Sequence, residues 1–136
     1  MIPSTVEVVA LPALLERADF VSLNCPLTTE NHGLLDAGAL GRLRTGAFVL
    51  NTARGQLIDE DALVASIESG RLAGAALDVF REEPLRPDHP LLRCPGVIVG
   101  SHNASNAREA VTRTSERAIE NLLDGLGLPS QFAPPS

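Results

Sequence analysis

The chain has 136 residues, about one small domain, and its 44% hydrophobic and 21% charged content is ordinary for a soluble globular protein. A formal net charge of −6 argues against nucleic-acid binding, which needs a basic face for phosphate contacts. No apolar run approaches the ~20 residues that span a bilayer, which excludes a membrane-spanning helix.

With four Phe and no Trp or Tyr, any core must be built from Ala, Leu, Val and Ile. Val6–Val9 reads as a short strand, and Leu11–Arg17 as one or two helical turns with Leu14 and Leu15 apolar. Phe20–Asn24 is the next strand, ended by the Cys25-Pro26 step. Asp36 is a good N-cap for a helix over Ala37–Leu43, and Gly46 follows as a turn residue. Ala47–Asn51 is a strand. Asp59, Glu60 and Asp61 then place three carboxylates at a helix start, where the macrodipole favours them. That helix carries Leu63, Val64 and Ile67 on one side and stops at Gly70.

Ala73–Val79 and Val97–Val99 are strand-like. A last amphipathic helix runs from about Asn106 to Leu123, with Ala110, Val111, Thr114, Ala118, Ile119 and Leu122 close to 3.6-residue spacing. The tail Leu128–Ser136 contains three Pro and reads as extended or frayed. Strands alternating with helices, several of them without strict polar alternation, indicate an α/β fold with a doubly wound parallel sheet.

The two Cys, Cys25 and Cys94, sit in no metal-ligand or Cys-x-x-Cys spacing and read as free, buried thiols of a reducing compartment. The start Met-Ile-Pro-Ser-Thr lacks the features of a signal peptide, so a cytoplasmic location is expected. The acidic run at residues 59–61 has no further ligand spaced to complete a metal site, and no metal is expected. His32 and His89 show no partner pattern and read as exposed loop residues.

Parallel strands align their C-terminal ends along one edge, where such sheets bind ligands. The residues after each strand are therefore the ones that bear chemistry. Cys25-Pro26-Leu27-Thr28 follows the first long strand, and Thr52-Ala53-Arg54-Gly55 the second. Asp78 closes the third, with Glu83 soon after, and Ser101-His102-Asn103-Ala104-Ser105 follows the last. One Arg, two acids and one His thus converge on a single edge.

Four blocks occur in order: Ala18-Asp-Phe-Val-Ser-Leu-Asn-Cys-Pro-Leu-Thr, Leu50-Asn-Thr-Ala-Arg-Gly, Gly74-Ala-Ala-Leu-Asp-Val-Phe and Glu83-Pro-Leu. Together they resemble the consecutive signature blocks of the D-isomer-specific 2-hydroxyacid dehydrogenases, over about residues 10 to 123. The resemblance implies the C-terminal half of a Rossmann-type NAD-binding domain, final helix included, over the whole of residues 1–136. It implies an oxidoreductase that interconverts a 2-hydroxy acid and a 2-oxo acid by hydride transfer. NAD is the implied cofactor, with NADP left open, and a homodimer or dependence on a complementary fragment is the implied assembly.

Residue by residue, Arg54 matches the arginine that binds the substrate carboxylate and polarises its carbonyl, a job suited to a planar, always-charged fork. His102 matches the general acid/base, and an imidazole titrates near neutrality. Glu83 matches the carboxylate that pairs with this His and fixes its tautomer. Glu82 is its rival, set aside because the family's acid directly precedes the Pro, here Pro84. Asp78 matches the acid that hydrogen-bonds the nicotinamide carboxamide. Cys25, Pro26, Thr28 and Asn31 match the loop over the adenine and ribose side, and Thr52, Ala53, Arg54, His102 and Ala104 complete the expected cofactor contacts.

The sequence also departs from the family. It holds no Gly-x-Gly-x-x-Gly turn to seat a pyrophosphate, and neither the acid that reads the ribose nor the N-terminal substrate domain is found. Ser101 precedes His102 where many relatives have Pro, and Asn103-Ala104-Ser105 follows in place of an Ile-Gly or Ile-Ala pair. Half a sheet leaves an unpaired edge and apolar surface, so marginal stability or self-association is expected. Besides an enzyme segment, a non-catalytic nucleotide-sensing or interaction module and an inactive truncated remnant fit the same residues.

Overall fold

A computed structural model describes residues 6–129, which fall into two compact units, residues up to His102 and residues from Asn103. In the first unit α1 (Leu11–Arg17) leads into β1 (Phe20–Leu23), followed by α2 (Ala37–Arg42) and β2 (Ala47–Asn51). A single 3-10 turn, Gly55–Leu57, precedes α3 (Glu60–Glu68) and β3 (Leu72–Leu77), and a second, Pro90–Arg93, precedes β4 (Val97–Val99). The four strands form one parallel sheet in the order β1-β2-β3-β4. The expected α/β fold with a parallel sheet is present.

Local chemistry explains the element ends. Pro12 opens α1, where its missing N–H costs nothing. The Asp36 carboxylate accepts from the Ala39 N–H at 2.8 Å and caps α2. Asp59 caps α3, accepting from the Asp61 and Ala62 amides at 3.1 Å each. Gly70, at φ +73°, takes the left-handed conformation that ends that helix.

Two rows of registered strand residues are buried: Val21, Val49 and Ala75, then Leu23, Asn51 and Leu77. Leu15 of α1, Leu40 of α2, and Leu63 and Ile67 of α3 complete this core, with Leu91 from the second 3-10 turn. On the opposite face Phe20 and Phe48 stack with ring centroids 5.3 Å apart. Removing the buried aliphatic area from water is the main stabilising contribution, about 25 cal/mol per Å².

The expected strand over Val6–Val9 is not formed. Among the described residues β1 pairs on one edge only, with β2, and this run has no ladder partner; Val6 and Val8 are 54% and 74% exposed. Other elements end within two residues of the expected bounds, as with Leu72–Leu77 for Ala73–Val79. Both cysteines are free, Cys94 buried and Cys25 partly so, and burial pushes the Cys94 thiol up.

The second unit is a 3-10 turn, Ala104–Asn106, and α4 (Arg108–Gly125), the expected amphipathic helix shifted by two residues. Its end is closed by the Leu128 amide on the Leu123 carbonyl at 2.8 Å, with Gly127 at φ +68°. The expected tail lies outside the described residues from Ser130 onward. Among the described residues no helix is long and apolar enough to cross a membrane.

Candidate active site

The parallel register brings the ends of β1, β2, β3 and β4 to one edge of the sheet, and the backbone there is cross-linked strand to strand. The Asp78 N–H donates to the Asn51 carbonyl at 2.9 Å, the Gly100 N–H to Leu77 at 2.7 Å and the His102 N–H to Asp78 at 2.8 Å. These bonds extend the ladder past the strands, so the loops that carry the candidate residues begin from fixed backbone.

The turn after β2 is organised by Asn51, which is 1% exposed. Its Nδ2–H donates to the Arg54 carbonyl at 2.9 Å, and its Oδ1 accepts from the Ala53 N–H at 3.0 Å. A buried amide with both ends satisfied makes a rigid turn. Arg54 projects from that turn, exposed, with Nη1–H donating to the Ala53 carbonyl at 2.6 Å. Thus the carbonyl of Ala53, itself an expected cofactor contact, also orients the guanidinium.

Glu83 and His102 meet directly. The carboxylate Oε2 lies 2.7 Å from the ring Nδ1, while Oε1 accepts from the Phe80 N–H at 2.9 Å. Both bonds favour the charged carboxylate, first that from His102 and then that from Phe80, and hold the Glu83 carboxyl below its ordinary range. His102 has φ +57°, a left-handed conformation uncommon outside glycine and one that the surrounding bonds must enforce. Here the Asp78 carbonyl holds its N–H and Glu83 holds its ring. The Glu83-Pro84 peptide is cis. Glu82, the rival, is exposed.

Arg54, Glu83 and His102 line one hollow of about 230 Å³, together with Gly55, Gln56, Phe80 and Arg81. A neighbouring hollow of about 420 Å³ shares Glu83 and His102 and adds Asp78, Pro84 and Gly100. Gly100 makes room for the acid, since a Cβ there would fall 2.2 Å from Asp78 Oδ1. A third, of about 450 Å³, lies between the ends of β1 and β2 and is lined by Asn24, Cys25, Pro26, Leu27, Thr52, Ala53 and Arg54.

Asn31 fastens the β1 loop from within. Its Nδ2–H donates to the Pro26 carbonyl at 2.8 Å and its Oδ1 accepts from the Thr28 N–H at 2.7 Å. Of the expected site residues, Cys25, Pro26, Thr52, Ala53, Arg54, Asp78, Glu83 and His102 line these hollows. Thr28 and Asn31 shape the loop beside them, and Ala104 belongs to the second unit.

Three residues carry more here than their sequence context suggested. Asn51, read only as the end of a strand, holds the Arg54 turn. Glu60, read as a macrodipole carboxylate, is 4% exposed and accepts from the Arg81 N–H at 2.6 Å. His89 is not an exposed loop residue: its side chain is 17% exposed, with Nε2 3.4 Å from Glu60 Oε2. Its Nδ1 accepts from the Leu91 N–H at 3.3 Å, capping the following 3-10 turn. The one local signal was His89 directly before Pro90, an N-cap position for a turn opened by Pro.

Comparison with known proteins agrees with this fold. Residues 2–104 match the family model described as D-isomer specific 2-hydroxyacid dehydrogenase, NAD binding domain. A glyoxylate reductase of Korarchaeum cryptofilum is 43% identical over 118 residues, covering 87% of this chain and 36% of that protein. A glyoxylate/hydroxypyruvate reductase B of Citrobacter koseri is 41% identical over 116 residues, 85% of this chain and 36% of its own length. The chain therefore spans about a third of the curated relatives it matches. A D-isomer specific 2-hydroxyacid dehydrogenase from Xanthobacter autotrophicus, solved with NADPH and MES, superposes with a TM-score of 0.75 at 38% identity, covering 89% of this chain and 50% of that one.

Proposed function

The chain belongs to the D-isomer specific 2-hydroxyacid dehydrogenases, and from that premise we propose that Arg54, Glu83 and His102 serve the interconversion of a 2-hydroxy acid and a 2-oxo acid with a nicotinamide dinucleotide. The observation that carries this reading is one hollow bounded by a guanidinium and by a carboxylate-paired imidazole.

The residues present suit the nicotinamide end of such a cofactor. The hollow between the ends of β1 and β2 has Cys25, Pro26, Thr52 and Ala53 among its lining, and Gly100 leaves space for the Asp78 carboxylate at the end of β3. Cys25, Pro26, Thr28 and Asn31 would hold the adenine and ribose side. Thr52, Ala53 and Asp78 would hold the nicotinamide side. Bound there, the group supplies the hydride that reduces the carbonyl carbon. No Gly-x-Gly-x-x-Gly turn occurs in the 136 residues, so the pyrophosphate is not assigned to them.

The chain's own residues do the rest. The Arg54 fork takes the substrate carboxylate in two parallel bonds and polarises the adjacent carbonyl. Its bond to the Ala53 carbonyl uses one of five N–H groups and turns the plane of the others. Because His102 Nδ1 faces Glu83, the neutral ring carries its proton on Nδ1, which leaves Nε2 as the working atom. The charged ring gives its Nε2 proton to the developing alkoxide oxygen and becomes neutral. In the reverse direction Nε2 accepts that proton from the hydroxyl. Glu83 stays ionised throughout and stabilises the charged ring.

Hydride-transfer assays with NADH and NADPH against glyoxylate, hydroxypyruvate and pyruvate test the proposal. Turnover lost in both Arg54→Ala and His102→Ala supports it, and turnover that survives His102→Ala sinks it. Nucleotide binding without turnover favours the sensing module, and no binding of either nucleotide favours the inactive remnant.

A further inference from the structure

Two polar or charged residues among those described are buried, Asn51 and Glu60. Asn51 is accounted for by the Arg54 turn. Glu60 is not, because Asp59 already caps α3. A carboxylate taken out of water is costly unless its oxygens are bonded, so the identity of its partners matters.

Those partners lie eight residues apart on the one loop between β3 and the second 3-10 turn. Oε1 accepts the Arg81 N–H at 2.6 Å, and Oε2 lies 3.4 Å from His89 Nε2. The His89 ring has a fixed sense, since its Nδ1 accepts from the Leu91 amide and a neutral ring therefore carries its proton on Nε2, toward Glu60. The Arg81 guanidinium stands 3.6 Å from Asp61 on the exposed side, and Asp78 is the further charge acting on Glu83.

The backbone on both sides of the Phe80 Cα is thereby gripped at three points. Glu83 Oε1 holds the Phe80 N–H, Glu60 Oε1 holds the Arg81 N–H, and the Gly55 backbone lies flush against the Phe80 carbonyl. Glu83 uses the Phe80 N–H, on the neighbouring Val79-Phe80 peptide, as one anchor and His102 as the other. We infer that Glu60, oriented by His89, is a positioning residue for the Glu83–His102 pair, acting through the backbone of Phe80, whose following peptide Glu60 holds and whose preceding peptide Glu83 holds. It touches neither substrate nor cofactor. The inference rests on the pair proposed above as the acid/base element.

Carboxyl-detected NMR titration of Glu83 in the whole 136-residue chain tests it, with Glu60→Ala, Glu60→Gln and His89→Ala compared with wild type. In wild type Glu83 titrates below the ordinary carboxylate range. In Glu60→Ala it moves up toward that range, and the Phe80 amide, which Glu60 does not touch, exchanges roughly 2- to 10-fold faster together with that of Arg81. Loss of the Glu60 charge alone acts the other way, lowering the Glu83 pKa, so an upward move isolates lost positioning. Glu60→Gln keeps an acceptor for the Arg81 amide but not the charge, so Glu83 shows no upward move and titrates at or below its wild-type value, and His89→Ala gives a smaller upward move.

A Glu60→Ala chain in which only the Arg81 amide changes, with Glu83 titrating as in wild type, overturns the inference alone. Should Glu60→Ala fail to fold, an unmoved Glu83 in folded His89→Ala overturns it equally. A wild-type Glu83 at the ordinary carboxylate value removes the pair itself, and with it both this inference and the proposed chemistry.

Discussion

Gly55 lies so close to Phe80 that a Cβ on it would fall 1.9 Å from the Phe80 carbonyl carbon. This contact joins the segment that presents Arg54 to the segment that presents Glu83. No real Cβ survives at such a distance from backbone, so any side chain at residue 55 must separate the two segments. Gly55→Ala is expected to destabilise the chain by about 2–4 kcal/mol, read from its urea midpoint. A variant as stable as wild type would show that the two segments are not in contact.

Asn51 makes a second, independent prediction. Removing its side chain leaves the Ala53 amide and the Arg54 carbonyl without their buried partner. Asn51→Ala is expected to cost about 1–3 kcal/mol in chemical denaturation. Where turnover is measured, KM for the 2-oxo acid rises, because the turn that aims the Arg54 guanidinium loosens. An unchanged KM together with an unchanged midpoint contradicts the role given to Asn51.

The paired Glu83 predicts a specific pH dependence. Its folded pKa is depressed, chiefly by His102 and next by the Phe80 amide. Such a group contributes stability in full above its ordinary carboxylate pKa. That contribution is lost as pH falls through the depressed folded value. With its side chain 35% exposed, solvent screening keeps the contribution small. Urea unfolding of wild type and Glu83→Gln across acidic pH should give curves that converge as pH drops through that window. Parallel curves contradict the depressed carboxyl.

Much of this arrangement was legible beforehand because it follows from repeating local patterns. β2 and β4 run within the bounds their apolar runs suggest, and Asp36 caps α2 as its position before Ala37 indicates. Once the strands are parallel, Arg54, Asp78, Glu83 and His102 must share an edge, however far apart in sequence. What stayed hidden depends on long-range contacts that leave no periodic trace. Val6–Val9 has a strand's composition and lacks a partner strand, so composition misleads there. Glu60 stands among three carboxylates that look equivalent as helix-start charges, and burial against the Arg81 amide alone separates it from its neighbours. His89 likewise becomes a partner of Glu60 only when the loop after Pro84 folds back on α3.

The central claim is that Arg54 and His102, with Glu83 behind the ring, act as one unit on a bound 2-oxo acid. The most direct measurement compares kcat/KM for one 2-oxo acid in wild type, Arg54→Ala, His102→Ala and the double variant. Each single variant should lose roughly 10²- to 10⁴-fold, the range for removing a positioned acid/base or charge. The double variant should lose far less than the product of the two, as residues working on the same transition state do. Losses that multiply in full, or a His102→Ala enzyme within a few-fold of wild type, would contradict the claim.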